Sequence, residues 1–393
     1  MKLWMPRLQE LLVFENNHIE SDATDDEPTE IEHLKSSVID SVNLYATRYD
    51  EEFSPFLESF VMKIWQLLMN AKQIPRFDSL VASGINFLTA ISQRPQYKPI
   101  FAANDTVDQI FQNIVVPNSR LRETDVELFE DNPEEFIRAD LEGSDADTRR
   151  RAAQDLIKGL TKFFEEKLTQ LAGGQIEQLM GVYATNPGEN WAAKESALFL
   201  VTALITKAQT RKSGVTQVSS LVNVQDFFDS NVLPEIASNK THPVLHASCI
   251  KFTVHFRNQI GKERLQKLMV NLCEATANPA VVLKSYAAHA VERCLVMKGA
   301  NFTLADIGAD LVTKLVNQLC TGIAQAENQY MMRALLRVLT MIYKDSNTIK
   351  IPDTAVQTLR GALERAAKNP AKPDYNAFKI LVSASKFGHF CHF

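Results

Sequence analysis

Residues 245–252 read L-H-A-S-C-I-K-F, 285–292 read S-Y-A-A-H-A-V-E, and 332–339 read M-R-A-L-L-R-V-L. Each sets an alanine (Ala247, Ala288, Ala334) at the centre of an apolar stripe with helical spacing. The same pattern recurs toward the N-terminus around Ala197, Ala153, Ala82 and Ser41, and toward the C-terminus around Ala377. From Ser41 onward the intervals are 41, 71, 44, 50, 41, 46 and 43 residues. Six of the seven fall near the period of a HEAT or armadillo unit, two helices per repeat. A small residue at the stripe centre lets one helix approach the next closely enough to bury a continuous spine. The expectation is an all-α chain: a HEAT-repeat α-solenoid of about eight antiparallel helix pairs.

Helical periodicity is found at 34–48, 57–68, 77–92, 105–116, 146–171, 175–185, 190–209, 225–237, 243–258, 262–277, 280–297, 304–326, 329–344, 354–368 and 375–386, and no alternating strand pattern interrupts it. Gly173-Gly174 then reads as a helix C-cap between two of these runs. Glycine is scarce, 14 of 393 residues, which disfavours strand-rich and Gly-loop folds.

The interval of 71 residues holds an insertion over 117–145, so the chain divides into repeats over 1–116, the insertion, repeats over 146–386, and an atypical tail at 387–393. Between Glu123 and Asp147 lie 11 acidic residues, followed by Arg149-Arg150-Arg151. The segment is not low-complexity: Leu128, Phe129, Phe136, Ile137 and Leu141 would tether it to the repeats. A tethered acidic segment presents carboxylates to a basic partner, where charge complementarity speeds encounter and fixes register; the alternative is a solvated loop that packs only on the arginines. The candidate contact residues are Glu123, Asp125, Glu127, Glu130, Asp131, Glu134, Glu135, Asp140, Glu142 and Asp145. Arg149, Arg150 and Arg151 would hold the base, pairing with Asp145, Asp147 and Asp155. A second acidic stretch, Glu20–Glu32, has seven acids and no anchors and reads as a disordered connector.

Composition narrows the function. The chain carries 42 Lys+Arg against 47 Asp+Glu, a net charge of -5, which argues against general nucleic-acid binding. There is no basic start followed by an apolar run, and no stretch of about 20 apolar residues. Cys249, Cys273, Cys294, Cys320 and Cys391 form no C-x-x-C pair and read as reduced core thiols of an intracellular protein. No phosphate-loop, dinucleotide, nucleophile-elbow or H-E-x-x-H motif occurs, and His289 and the His389–His392 tail lack further ligands at metal spacing. The reading is a binding protein with no catalytic residues, no cofactor and no metal. Basic residues recur in or after the first helices of the repeats, from Arg149, Arg150, Lys158, Lys194 and Lys207 to Lys251, Arg257, Lys284, Arg293, Arg333 and Arg337. In a solenoid that row lines the usual binding face.

The run L-F-E-D-N-P-E-E-F-I-R-A-D-L-E-G-S-D-A-D-T-R-R-R-A-A, Leu128 to Ala153, resembles the importin-alpha re-exporters of the importin-beta/karyopherin superfamily. So do A-T-R-Y-D-E-E-F (46–53), R-P-Q-Y-K-P-I-F (94–101), I-V-V-P-N (114–118), L-V-T-A-L-I-T-K-A-Q-T (200–210), F-R-N-Q (256–259), Y-A-A-H-A-V-E-R (286–293) and K-N-P-A-K-P (368–373). The resemblance implies a superhelix of HEAT repeats that binds importin-alpha together with Ran in its GTP form. Such a receptor contacts nuclear pore proteins, shuttles between nucleus and cytoplasm, and has no enzymatic activity. It further implies that the acidic insertion contacts Ran. The chain resembles a central slice of such a receptor, whose members are more than twice as long, and Ser383–Phe393 departs from the family pattern. Two other readings stay open: an unrelated HEAT-repeat scaffold or adaptor, and a non-exporting fragment that binds one partner. The apolar residues of the terminal helices, Leu3, Trp4, Leu8, Leu11 and Leu12 at one end and Phe378, Ile380, Leu381 and Phe387 at the other, are expected to be exposed and to favour self-association.

Overall fold

The computed structural model describes residues 1–21, 23–103, 105–142, 148–210, 213–296, 302–344 and 353–368. The chain divides into two compact units, one comprising 1–122, 143–186 and 192–206, the other 123–142, 187–191 and 207–393. The expected helix at 375–386, the anchor Ala377, Cys391 and the tail lie outside the described residues.

The first unit contains α1 (Trp4–Leu12), α2 (Glu30–Arg48), α3 (Asp50–Asn70), α4 (Asp78–Ser92), α5 (106–119), and the helical residues 149–185 and 192–205. Helix α2 begins where Thr29 and Glu32 form a capping box: the Thr29 N–H donates to Glu32 Oε2 at 2.8 Å, and the Thr29 hydroxyl accepts from the Ile31 N–H at 3.2 Å. The Glu20–Glu32 stretch is more than a connector. Arg76, nearly buried, donates to Glu20 at 2.5 Å and to Glu32 at 3.0 Å, and its own N–H donates to the Asp25 carbonyl. Two of the acids in this stretch therefore neutralise one buried guanidinium. In α5, residues 111–115 form a π-helical turn immediately before Pro117. Proline has no N–H and its ring crowds the carbonyl four residues back, and the wider turn relieves both.

The acidic segment forms α6 (Glu123–Asp131) and α7 (Pro133–Glu142) of the second unit. The chain continues through α8 (Arg149–Thr185) and α9 (Trp191–Ile205). Helix α8 packs on α4, which packs on α2, and α5 closes against α8. The contact is close: a Cβ placed on Gly159 would sit 2.8 Å from Ser92 Oγ, and one on Gly84 would sit 2.9 Å from Leu68 Cδ2. Helix α8 bends at Phe164, where φ is -130° and ψ 34°. Gly173 and Gly174 are not a cap; they lie inside α8, and a Cβ on either would meet nothing within 4 Å.

Helix α9 stops at Ile205, and the chain turns into a two-stranded hairpin, β1 (Thr206–Thr210) and β2 (Gly214–Val218), where sequence periodicity continued the helix to 209. Gly214 has a φ of +74°, and Val215 is buried. The hairpin is pinned by F-R-N-Q: Asn258 Nδ2 donates to the Ser213 carbonyl at 2.5 Å, and Gln259 Nε2 to the Val215 carbonyl at 3.0 Å.

Beyond the hairpin the second unit contains α10 (224–237), α11 (Pro243–His255), α12 (Lys262–Thr276), α13 (Val281–Cys294), α14 (Ala309–Gln325), α15 (Gln329–Lys344) and α16 (Asp353–Lys368). Helix α10 repeats the π-turn device, with 228–232 widened just before Pro234. Helices α11, α13 and α15 pack side by side as one row, and α12, α14 and α16 as a second row behind it. The alanines predicted to sit at the helix crossings, Ala82, Ala153, Ala197, Ala247, Ala288 and Ala334, are all buried. Ser41 is the exception. It is exposed and donates to the Ser37 carbonyl, while Val42 and Ala46 of the same helix enter the core.

Candidate docking surface

Helices α6 and α7 form a short hairpin whose ends are written in the sequence. Glu123 and Asp125 occupy the first turn of α6, and Glu134 and Glu135 that of α7, where carboxylates complement the positive helix end. At the corner Asn132 Oδ1 accepts the Glu135 N–H at 3.4 Å, and its amide donates to Glu135 Oε2 at 2.7 Å. Phe129 and Phe136 meet edge to face at 5.1 Å between ring centres and close the hairpin. Phe129 and Ile137 are buried, Leu128, Phe136 and Leu141 half-buried, so the anchors expected from the sequence all lie on the packed side. Helix α7 lies on α13.

The opposite face is acidic. Glu123, Glu127, Glu130, Asp131, Glu134 and Glu135 are exposed, and Asp125 is half-exposed. Arg138 is the lone Lys or Arg of 123–142. Asp140 is placed differently: its two oxygens take Lys251 Nζ of α11 and the Tyr286 hydroxyl of α13. Glu142 ends α7, and Asp145 and Asp147 lie outside the described residues. The face gathers six exposed carboxylates on one short hairpin. Among the described residues no group of three or more His, Cys, Asp or Glu could hold a metal, and no helix is long and apolar enough to cross a membrane.

Of the partners expected for the three arginines, Asp155 is met, by Arg151, and Asp145 and Asp147 lie outside the described residues. Arg149, at the start of α8 and nearly buried, donates to Asp78 at 2.6 Å, to Gln73, and to the carbonyls of Lys72 and Ile74. Burial presses its pKa below the usual value against the pull of Asp78. Arg122, unremarked in the sequence, grips the same carboxylate at 2.8 and 2.9 Å. Arg150 pairs with Glu195 at 2.9 Å and lies over the Phe199 ring. Arg151 pairs with Asp155 at 3.1 Å.

The basic residues of the first-helix row are mostly satisfied internally. Lys194 and Arg257 are buried, Lys251 is on Asp140, and Arg293 and Arg337 both approach Glu292. Trp191 and His242 stack at 4.0 Å beside the acidic hairpin; burial lowers the His242 pKa and Glu130 opposes that. Cys249, Cys273, Cys294 and Cys320 are buried free thiols, and burial pushes Cys294 up to about 12 and Cys273 to about 11. In α1, Leu12 is buried, Leu8 and Leu11 are half-buried, and Leu3 and Trp4 are exposed.

Comparison with known proteins matches the chain over residues 1–384. The family model described as Cse1 matches residues 1–291, and the one described as CAS/CSE protein, C-terminus, matches residues 292–384. Exportin-2 of Oreochromis niloticus is 41% identical over 387 residues, covering 96% of this chain and 39% of that protein. Exportin-2 of Homo sapiens is 40% identical over 386 residues with the same coverage. The chain thus spans about two fifths of the length of the curated relatives it matches. A solved structure of the exportin Cse1 in its cargo-free, cytoplasmic state superposes with a TM-score of 0.79 at 33% identity, over 87% of this chain and 37% of that one. The fold, but no more, is shared with Lph2, a bidirectional nuclear transport receptor of S. cerevisiae, at a TM-score of 0.71 and 14% identity, over 97% of this chain and 40% of that one. The helix pairs are those of an exportin HEAT-repeat solenoid.

Proposed function

The chain belongs to the Cse1 family, and from that premise we propose that it is the part of a nuclear export receptor that binds importin-alpha and Ran in its GTP form, for return of importin-alpha to the cytoplasm. It works by shape and charge and performs no chemistry of its own. The exposed face of α6 and α7 is the Ran contact, carried by Glu123, Asp125, Glu127, Glu130, Asp131, Glu134 and Glu135, and the first-helix row contributes to cargo. The receptor shuttles between nucleus and cytoplasm through pore proteins.

The observation that supports this most directly is the division of labour in the hairpin. Its apolar anchors are spent inward, and six carboxylates remain exposed on a fixed helical frame. Carboxylates exposed on an ordered surface are positioned to meet cations on another molecule. The alternative is that the chain captures one partner without completing export. The test is capture of Ran loaded with GTP or GDP, with and without importin-alpha, on the immobilised chain. Retention of Ran-GTP in preference to Ran-GDP supports the proposal, and importin-alpha retained only with Ran-GTP supports the full receptor role. Capture of Ran alone supports the alternative. Partner capture blind to the nucleotide would point to an unrelated scaffold.

A further inference from the structure

Asp140 departs from the other acids of the hairpin in facing inward. Its Oδ1 receives Lys251 Nζ, and its Oδ2 receives the Tyr286 hydroxyl. The two donors come from α11 and α13, which pack directly on one another. Helix α7 supplies only the carboxylate between them, so the donor pair exists without the acidic hairpin. Tyr286 is buried, while Lys251 is 49% exposed and reachable from solvent.

We infer that Lys251 and Tyr286 form a carboxylate-binding seat on the first-helix row, held here by Asp140 and taken by a side-chain carboxylate of an acidic partner segment when the hairpin lifts. The seat fits a carboxylate well: an ammonium and a phenol hydroxyl meet its two oxygens separately, each as a charge-assisted hydrogen bond. It cannot stay empty at low cost, because a buried phenol without an acceptor loses its solvation with nothing in return. The Lys251 ammonium, half exposed beside the buried phenol, favours an acidic ligand over a basic one.

Asp140 then acts as an internal competitor. Any acidic ligand binds with an affinity reduced by the fraction of time the hairpin is docked. If a basic partner binds the exposed face more tightly with the hairpin lifted, that contact and the entry of an acidic segment reinforce one another by linkage. This coupling rests on the docking reading; the seat itself does not.

The test uses the full 393-residue chain and a fluorescein-labelled hexaglutamate peptide, with hydrogen exchange across 123–142 as a second readout. Asp140→Asn is expected to raise exchange in the hairpin and to tighten hexaglutamate binding by about tenfold, the gain from removing a competitor docked about nine-tenths of the time. Adding Lys251→Met or Tyr286→Phe to that variant should abolish the gain, and Asp140→Glu should keep the hairpin protected. A circular-dichroism melt of each variant separates loss of the seat from loss of the fold. Unchanged exchange in Asp140→Asn, or hexaglutamate binding indifferent to Lys251 and Tyr286, would overturn the inference. Reversing the charges of Glu130, Asp131, Glu134 and Glu135, with exchange across 123–142 checked to be unchanged, probes the exposed face, so failure of the docking reading is recognised separately.

Discussion

Arg122 and Arg149 hold the same carboxylate. The Arg122 guanidinium meets both oxygens of Asp78 at 2.8 and 2.9 Å, and Arg149 Nε meets Oδ1 at 2.6 Å. The two arginines bracket the acidic hairpin in sequence, one just before α6 and the other at the start of α8, so a single side chain at the head of α4 ties down the chain on both sides of it.

Replacing Asp78 with asparagine removes the one negative charge between two guanidiniums and leaves Arg149 buried without it. Stability is expected to fall, by no more than the roughly 3–5 kcal/mol cost of breaking a fully buried pair, since Asp78 is 32% exposed. A urea titration followed by circular dichroism reads the loss. A midpoint equal to wild type would show that the shared carboxylate contributes nothing.

Gly159 leaves no room for a side chain against α4, with a Cβ position 2.8 Å from Ser92 Oγ. Gly159→Val is expected to destabilise by about 1–3 kcal/mol through overpacking. Gly173→Ala, in open space inside the same helix, should instead stabilise by up to about 1 kcal/mol through helix propensity and a less free unfolded chain. Thermal melts of the two variants should therefore move in opposite directions.

His246 is buried on α11, its Nε2 has no hydrogen-bond partner, and burial lowers its pKa from 6.5. His242, lowered for the same first reason, lies four residues before it. Between the unfolded value of 6.5 and the lower folded values the unfolded chain binds more protons. Stability from these groups is complete above pH 6.5 and is lost as pH falls through the folded values. Denaturant midpoints measured from pH 7.5 down to about 5 should drop, and His246→Gln should flatten the slope. A slope unaffected by the substitution would remove His246 from this role.

The repeat was legible because close helix packing demands a small residue, and six of the eight aligned positions are buried alanines. Ser41 failed because its helix enters the core one residue further on, at Val42, a shift that spacing alone does not resolve. The β-hairpin was missed for a physical reason: T-K-A-Q-T has no apolar alternation, and what holds it is remote, the amides of Asn258 and Gln259 more than 40 residues away. Gly173-Gly174 misled because a glycine pair signals a cap only where the backbone turns left-handed, and the positive-φ glycines among the described residues are Gly214, Gly261 and Gly308. In the acidic segment the apolar anchors announced a packed side. That Asp140 would turn inward was invisible, since its partners stand 111 and 146 residues downstream.

The measurement that bears most directly on the charged face is the affinity of Ran-GTP for the chain and for a variant with Glu130, Asp131, Glu134 and Glu135 all changed to lysine, at two ionic strengths. These four side chains are exposed, so the variant should keep its circular-dichroism spectrum. Binding is expected to weaken at least about tenfold, with a shallower salt dependence than wild type. Equal affinity and an equal salt slope in the two proteins would contradict a docking role for the face.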